Sequence, residues 1–182
     1  MEETSLIKKK ICLLGCFAVG KTSLVERFVY NRFDDKYLTT IGVKVSQKIL
    51  PPVQNHRNGQ LTQFNFLIWD IERLERFNTV VKNYYRGAAG ALVVADLTRS
   101  ETISGLQEMV HKFYSVSPSA QLLVLGNKLD ILQQDKKSLT LLSKTASTFS
   151  TECLLTSAKT GERVEEAFLT LAQRIIGAAV DE

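Results

Sequence analysis

The stretch Gly15-Cys16-Phe17-Ala18-Val19-Gly20-Lys21-Thr22-Ser23 narrows the possible folds of this 182-residue chain more than any other. It carries the pattern G-x-x-x-x-G-K-[ST]. An apolar run over residues 11–14 precedes it, and Leu24, Val25, Phe28 and Val29 recur after it at helical spacing, so it lies between a predicted strand and a helix predicted over 21–30. Gly15 and Gly20 permit backbone conformations that bulkier residues resist, which lets successive N–H groups curl around a polyphosphate at the positive end of the helix. Lys21 then reaches the β- and γ-phosphates as a point charge. Thr22 offers a hydroxyl to Mg2+, a hard cation that takes oxygen ligands and binds jointly to protein and phosphates. Taken alone, the motif also admits a chance glycine-rich turn.

The chain is long enough for one well-buried core and too short for two ordinary domains, so a single domain over 1–182 is expected. A 45% hydrophobic fraction with only 3 prolines argues against disorder. The formal charge of +4 is mild, and its one basic run, Lys8-Lys9-Lys10, leads into the first strand, which reads as a solvated strand entrance rather than a nucleic-acid patch. The apolar runs are far shorter than a membrane span, and no signal peptide precedes them. Three cysteines indicate no disulfide framework and suit a cytoplasmic chain. Cys12 and Cys153 fall in predicted strands and read as small core residues. Cys16, inside the phosphate loop, reads as loop packing, with a lowered thiol pKa as the competing reading. His56 and His111 have no cysteine at ligand spacing, so no zinc site is expected.

In chain order, residues 31–41 read as a loop and 42–50 as a strand that Pro51-Pro52 breaks. Asn58-Gly59 marks a turn before a strand over 63–69, so these two strands are predicted to pair as an antiparallel hairpin. Asp70 closes the second strand. A short irregular helix over 76–86 leads to a buried strand over 88–95. Thr98-Arg99-Ser100-Glu101 has capping-box form, and Ile103, Leu106, Met109, Val110 and Phe113 make one apolar helical face. A strand over 122–125, a helix carrying Leu139, Leu142, Ala146 and Phe149, a strand over 153–155 and a terminal helix carrying Val164, Ala167, Phe168, Leu171 and Ile175 complete the chain. This alternation predicts an α/β fold: a mostly parallel sheet of about six strands, one antiparallel edge strand, and helices on both faces. Ligand chemistry in such folds gathers at the C-terminal ends of the strands. Gly15 to Thr22, Asp70, Asn127 to Asp130 and Ser157 to Lys159 all fall just after predicted strands.

With Asn127-Lys128-Leu129-Asp130 and Ser157-Ala158-Lys159 in place, the chain resembles the Ras-like small GTPases, a P-loop NTPase fold, over nearly its whole length. Tyr84-Tyr85-Arg86-Gly87-Ala88 and Tyr37-Leu38-Thr39-Thr40-Ile41-Gly42 look most like the Rab branch. The resemblance implies a GTP/GDP and Mg2+ site in which Asn127 and Asp130 read guanine, Lys128 lies along base and ribose, and the Ala158 amide meets the base oxygen. A carboxylate at Asp130 can accept both hydrogens of the guanine N1 and N2 edge. Adenine lacks that donor pair, and sites built on such a contact reject the analogue by roughly 10⁴-fold. Thr40 resembles the first-switch threonine that binds Mg2+ and the γ-phosphate, and Asp70 the acid that holds the metal through water. The implied metal set is therefore Thr22, Thr40 and Asp70. Contacts that depend on the third phosphate would let an effector distinguish GTP from GDP, reading Ile41, Gly42 and Val43 with an apolar patch at Val45, Trp69 and Tyr84. Val45 stands where the family usually has Phe, and Trp69 reads equally as ordinary core.

The second switch departs from the family. Where D-x-A-G-Q-E is usual, this chain has Asp70-Ile71-Glu72-Arg73-Leu74-Glu75. Arg73 replaces a glycine that offers its N–H to the γ-phosphate, and Leu74 replaces the glutamine that orients the attacking water. Phe17 stands where a small residue is common. Slow hydrolysis is expected, with Lys21, Thr40 and Arg73 as the catalytic set. Arg73 or Arg76 as an arginine finger in cis, and Glu72 as a ligand for the water, are weighed against plain solvation of charged residues. A guanine-nucleotide switch that hydrolyses slowly and a non-hydrolysing scaffold with a structural nucleotide both remain open. An ATP-dependent kinase or motor would share the phosphate loop without needing Asn127 and Asp130. Ala178-Ala179-Val180-Asp181-Glu182 carries no cysteine for prenylation and Glu2 replaces the glycine of myristoylation, so no membrane anchor is expected in this chain, while an exchange factor is a possible partner.

Overall fold

A computed structural model of the protein describes residues 5–34, 42–55, 59–72, 78–133 and 136–178. In chain order the elements are β1 (Ser5–Leu14), α1 (Lys21–Tyr30), β2 (Gly42–Ile49), β3 (Val53–Gln54), β4 (Leu61–Glu72), α2 (Asn78–Tyr85), β5 (Gly90–Asp96), α3 (Ser100–Ser104), α4 (Leu106–Tyr114), β6 (Gln121–Asn127), a 3₁₀ turn (Leu129–Ile131), α5 (Lys136–Thr148), β7 (Cys153–Leu155) and α6 (Val164–Ala178). Among the described residues the strands form one sheet in the order β2-β4-β1-β5-β6-β7, with β3 also on β4. β1 pairs in parallel with β4 and β5, and β6 with β5 and β7. Only β2 and β3 run antiparallel, both against β4. The predicted α/β architecture with its antiparallel edge is thus present, with seven strands among the described residues where about six were expected. The additional one is the two-residue β3, which resumes pairing after Pro51-Pro52.

Strand composition follows position. β5 is buried at every residue, as a central strand covered on both faces must be, and it is apolar up to Asp96. β1, β4, β5 and β6 alternate their side chains between two cores. One core gathers Ile11, Leu13, Phe66, Ile68, Leu92 and Leu125 under α1 and α6, where the Phe28 and Phe168 rings stack with centroids 3.8 Å apart. The other holds Cys12, Leu14, Val93 and Val124 under α3, α4 and α5. Burying a phenylalanine such as Phe66, Phe113 or Phe168 completely contributes about 1.5–3 kcal/mol each. The edge strand β2 is tied to α1 through Glu26, which pairs with Lys44 and, at 2.8 Å, with Arg32, and through Lys48, whose ammonium reaches the Phe28 carbonyl.

Three local expectations are corrected. The Lys8-Lys9-Lys10 run is not a strand entrance: β1 begins at Ser5 and pairs with β4 from Ser5↔Thr62 onward, so the lysines are strand residues. Lys10 lies 3.9 Å over the Trp69 ring, a cation–π contact, and donates to the Arg86 carbonyl at 2.9 Å. Thr98 and Glu101 do not form a capping box. The cap position is Arg99 without a side-chain cap bond, because the Thr98 hydroxyl donates to Asp96 at 2.7 Å. The apolar face from Ile103 to Phe113 is buried as expected, but it spans α3 and α4 with a break at Gly105.

Candidate functional site

β1, β4, β6 and β7 deliver Gly15 to Thr22, Asp70, Asn127 to Asp130 and Ser157 to Lys159 to one end of the sheet. The turn after β1 needs both glycines. Gly15 has φ +151° and Gly20 φ +98°, and a Cβ on Gly15 would run into the Val94 carbonyl oxygen while one on Gly20 would strike the Asn127 amide. Gly20 is the left-handed residue that starts α1, whose first turn carries no acid, so the positive end of the helix abuts the loop without a carboxylate of its own. Across that loop, the Lys21 ammonium donates to the Gly15 and Cys16 carbonyls, 3.0 Å each, and the residue is only 3% exposed. This holds a positive charge inside the curl of amides that Phe17, Ala18 and Val19 complete. Ser23 follows Thr22 in the first turn of α1.

Thr22 and Asp70 meet directly, the hydroxyl donating to Asp70 Oδ2 at 2.5 Å. Asp70 is 1% exposed, and β4 runs two residues beyond it rather than closing there. Hydroxyl and carboxylate oxygens are the hard donors that Mg2+ takes. Among the described residues no group of three His, Cys, Asp or Glu could hold a metal. Thr40, Arg73 and Leu74 lie outside the described residues, as do Ile41 and Arg76.

Asn127, at the end of β6, is a tie between two loops. Its Nδ2 donates to the Val19 carbonyl at 2.9 Å, and its Oδ1 accepts from the Ala158 amide at 3.1 Å and the Thr156 hydroxyl at 3.3 Å. The Ala158 N–H expected at a base oxygen therefore already has an acceptor, which a purine would share. Asp130, in the 3₁₀ turn, is exposed and accepts from the Ser157 hydroxyl at 2.6 Å, and Ser157 in turn accepts from the Thr160 amide at 3.1 Å. Its carboxylate is oriented while one side remains open, as a group reading a base edge must be.

Three participants escaped the sequence. Arg27 on α1 donates to the Ala158 carbonyl at 2.9 Å and the Lys159 carbonyl at 2.5 Å, clamping the turn after β7. Asp96 and Arg99 follow β5. Asp96 is 1% exposed and pairs with Lys128 at 2.7 Å and Arg99 at 2.9 Å. Burial pushes its carboxyl up, but the Lys128 ammonium, then the Thr98 hydroxyl and amide and Arg99, outweigh burial and hold it below the usual carboxylate value. One signal was available: a lone acid closing an otherwise apolar strand, opposite Asn127 in the register.

The expected partner patch sits where β2 and β4 pair, with Val45 opposite Trp69 and Val43 opposite Ile71. Val45 is 51% exposed, Trp69 and Tyr84 are half-buried, and their rings lie 6.0 Å apart. Beneath them burial pushes the Cys12 thiol up to about 12, so it is an inert core group. Cys16 packs against the core under α1, in line with the loop-packing reading.

A parallel sheet with a glycine loop, a lysine held within it and a threonine–aspartate pair beside it defines a P-loop nucleotide-binding protein. The model of the Ras family matches residues 10–177. The chain is 36% identical over 177 residues to Ras-related protein Rab-4A of Danio rerio, covering 97% of this chain and 80% of that one. It is 34% identical over 173 residues to GTP-binding protein ypt4 of Schizosaccharomyces pombe, 92% and 71% of the two chains, and 33% identical over 169 residues to Ras-related protein Rab-1C of Dictyostelium discoideum, 91% and 80%. The chain belongs to the Ras family of small GTPases, on its Rab-like branch. Members of that family are guanine-nucleotide switches that bind GTP or GDP with Mg2+ and act through effectors and exchange factors. Among the described residues no helix is long and apolar enough to cross a membrane.

Proposed function

We propose that residues 1–182 form one guanine-nucleotide-binding domain, cytoplasmic in location, that holds GTP or GDP with Mg2+ and hydrolyses GTP slowly. The observation that carries this reading is the convergence of the Lys21 ammonium, the Thr22–Asp70 pair and the Asn127–Asp130–Ser157 cluster on one edge of the sheet. In the proposed site the amides from Phe17 to Ser23 with Lys21 bind the β- and γ-phosphates. Thr22 and Thr40 hold the metal, with Asp70 behind them. Asn127 and Asp130, with Lys128 and the Ser157-Ala158-Lys159 turn, hold and select the base. Bound Mg2+ would neutralise charge on the phosphate oxygens during transfer.

Catalysis of phosphoryl transfer is almost entirely positioning and electrostatics, so the absence of a water-orienting glutamine at Leu74 removes most of what the protein can supply. Arg73 is proposed as an arginine finger delivered in cis. The switch face at Ile41, Val43, Val45, Trp69 and Tyr84 is proposed as the effector surface. Leu74 also favours a second reading, a scaffold whose nucleotide never turns over. Single-turnover decay of bound radiolabelled GTP distinguishes these. Decay over hours, sped by Leu74→Gln and abolished by Arg73→Ala, supports the slow switch. No decay, with either nucleotide copurifying, supports the scaffold, and decay at the rate of an ordinary small GTPase removes both. ATP competing on equal terms with GTP would remove the guanine assignment itself.

A further inference from the structure

Arg99 lies within the stretch where sequence alone predicts a helix cap, and with Asp96 just before it performs another task. We infer that they form a latch that sets how fast bound nucleotide leaves, by tying the Phe17 peptide of the phosphate loop to Lys128 of the base-reading loop. The inference rests on the guanine-nucleotide reading above.

The latch is built from a carboxylate with no spare capacity. Asp96 Oδ1 accepts from the Thr98 amide at 2.9 Å and the Thr98 hydroxyl at 2.7 Å, while Oδ2 accepts from Arg99 Nε at 2.9 Å and Lys128 Nζ at 2.7 Å. A buried carboxylate needs such donors to stay charged. Its own backbone is fixed as well, since the Asp96 amide donates to the Thr102 hydroxyl at 3.0 Å, and that hydroxyl donates to the Arg99 carbonyl at 2.7 Å. Arg99 therefore has little freedom, and its Nη2 donates to the Phe17 carbonyl at 2.9 Å across 82 residues of sequence. On the other side, Lys128 holds a left-handed backbone at φ 68°, a conformation a lysine keeps only under constraint.

The consequence for a ligand follows from peptide geometry. In a trans peptide the C=O and the next N–H point in opposite directions. Arg99, by fixing the Phe17 carbonyl, also fixes the direction of the Ala18 N–H, one of the loop amides assigned to phosphate. That amide is aimed before a phosphate arrives, so less ordering remains for the ligand to supply. Because Lys128 hangs on the same carboxylate, losing Asp96 loosens the grip on phosphate and base together, whereas losing Arg99 loosens the phosphate loop and leaves Lys128 on Asp96. Arg99 and Asp96 are positioning residues: they act through Phe17, Ala18 and Lys128.

Release of fluorescently labelled GDP from the full chain into excess unlabelled GDP tests this. Arg99→Ala is expected to release about tenfold faster, because it removes the charge-assisted hydrogen bond that holds the Phe17 carbonyl together with the one to Asp96. Arg99→Lys, which can make one of the two bonds, is expected between it and wild type. Asp96→Asn is expected to release at least as fast as Arg99→Ala, and the double variant no faster than Asp96→Asn, because Asp96 anchors Arg99. General loosening would weaken GDP and GMP alike, whereas a loss carried by the phosphate loop leaves the competition constant of GMP in Arg99→Ala near wild type. Wild-type release from both arginine variants, additive effects in the double variant, or equal weakening of GMP would each overturn the latch while leaving the nucleotide site standing. Wild-type protein that retains no labelled GDP would instead remove the nucleotide reading, and the latch with it.

Discussion

Replacing Asn127 by alanine removes more than a base contact. The side chain is 1% exposed and makes three hydrogen bonds, to the Val19 carbonyl at 2.9 Å, the Ala158 amide at 3.1 Å and the Thr156 hydroxyl at 3.3 Å. Val19 and Thr156 are fully buried and Ala158 is 3% exposed, so water cannot replace the lost partner cheaply. Leaving a buried donor or acceptor unpaired costs about 1–3 kcal/mol, and the 3.3 Å hydroxyl bond is the weakest of the three, which puts Asn127→Ala at about 3–5 kcal/mol. That is a large fraction of a typical stability of about 5–15 kcal/mol. In a chain of this size it lowers the melting midpoint by about 10 °C. Asn127→Asp is expected to be no milder, since it keeps an acceptor toward Ala158 but sets an oxygen against the Val19 carbonyl. The assay is urea unfolding of both variants in excess GDP and again in EDTA, because ligand bound only to the native state adds stability of its own. A loss below about 1 kcal/mol in EDTA would refute the reasoning. It would mean that Asn127 serves the ligand and not the loops.

Two further outcomes follow from the same geometry. Gly15→Ala combines a collision with the Val94 carbonyl, which β5 cannot move, with a φ of +151°, and is expected to cost about 2–5 kcal/mol in unfolding and to abolish retention of labelled nucleotide. Asp96 has a folded pKa below its ordinary value of 3.8, so the stability it contributes is complete above that value and is lost as pH falls through it toward the folded pKa. The melting midpoint should fall more steeply below about pH 4 in wild type than in Asp96→Asn, and parallel profiles would exclude Asp96 as a source of acid sensitivity.

The phosphate loop was legible because its chemistry is local: two glycines, a lysine and a threonine within eight positions do their work through backbone conformation and a helix end. The same holds for the alternation of apolar runs that places strands between helices. Asn127 and Asp130 were legible as a motif, but the ties of Asn127 to Val19, and of Ser157 to Asp130, were not. Arg99 shows the limit. Its sequence neighbours spell a capping box, yet a buried carboxylate three residues upstream needs donors more than an exposed helix end needs a cap worth about 1 kcal/mol, so Thr98 and Arg99 turn to Asp96.

From the order of residues alone come the sheet-and-helix class, the glycine-lysine loop proposed to hold phosphate, the oxygens proposed for a metal and the altered switch sequence at Glu72, Arg73 and Leu74, since each depends on residue type and short spacing. The folded chain alone decides that Lys10 covers Trp69 within a strand, that Arg27 grips a turn 131 residues away, and that Asp96 links two loops. Those pairings join strands and loops distant in sequence, and which partner a buried charge finds is settled only when the sheet brings its neighbours together.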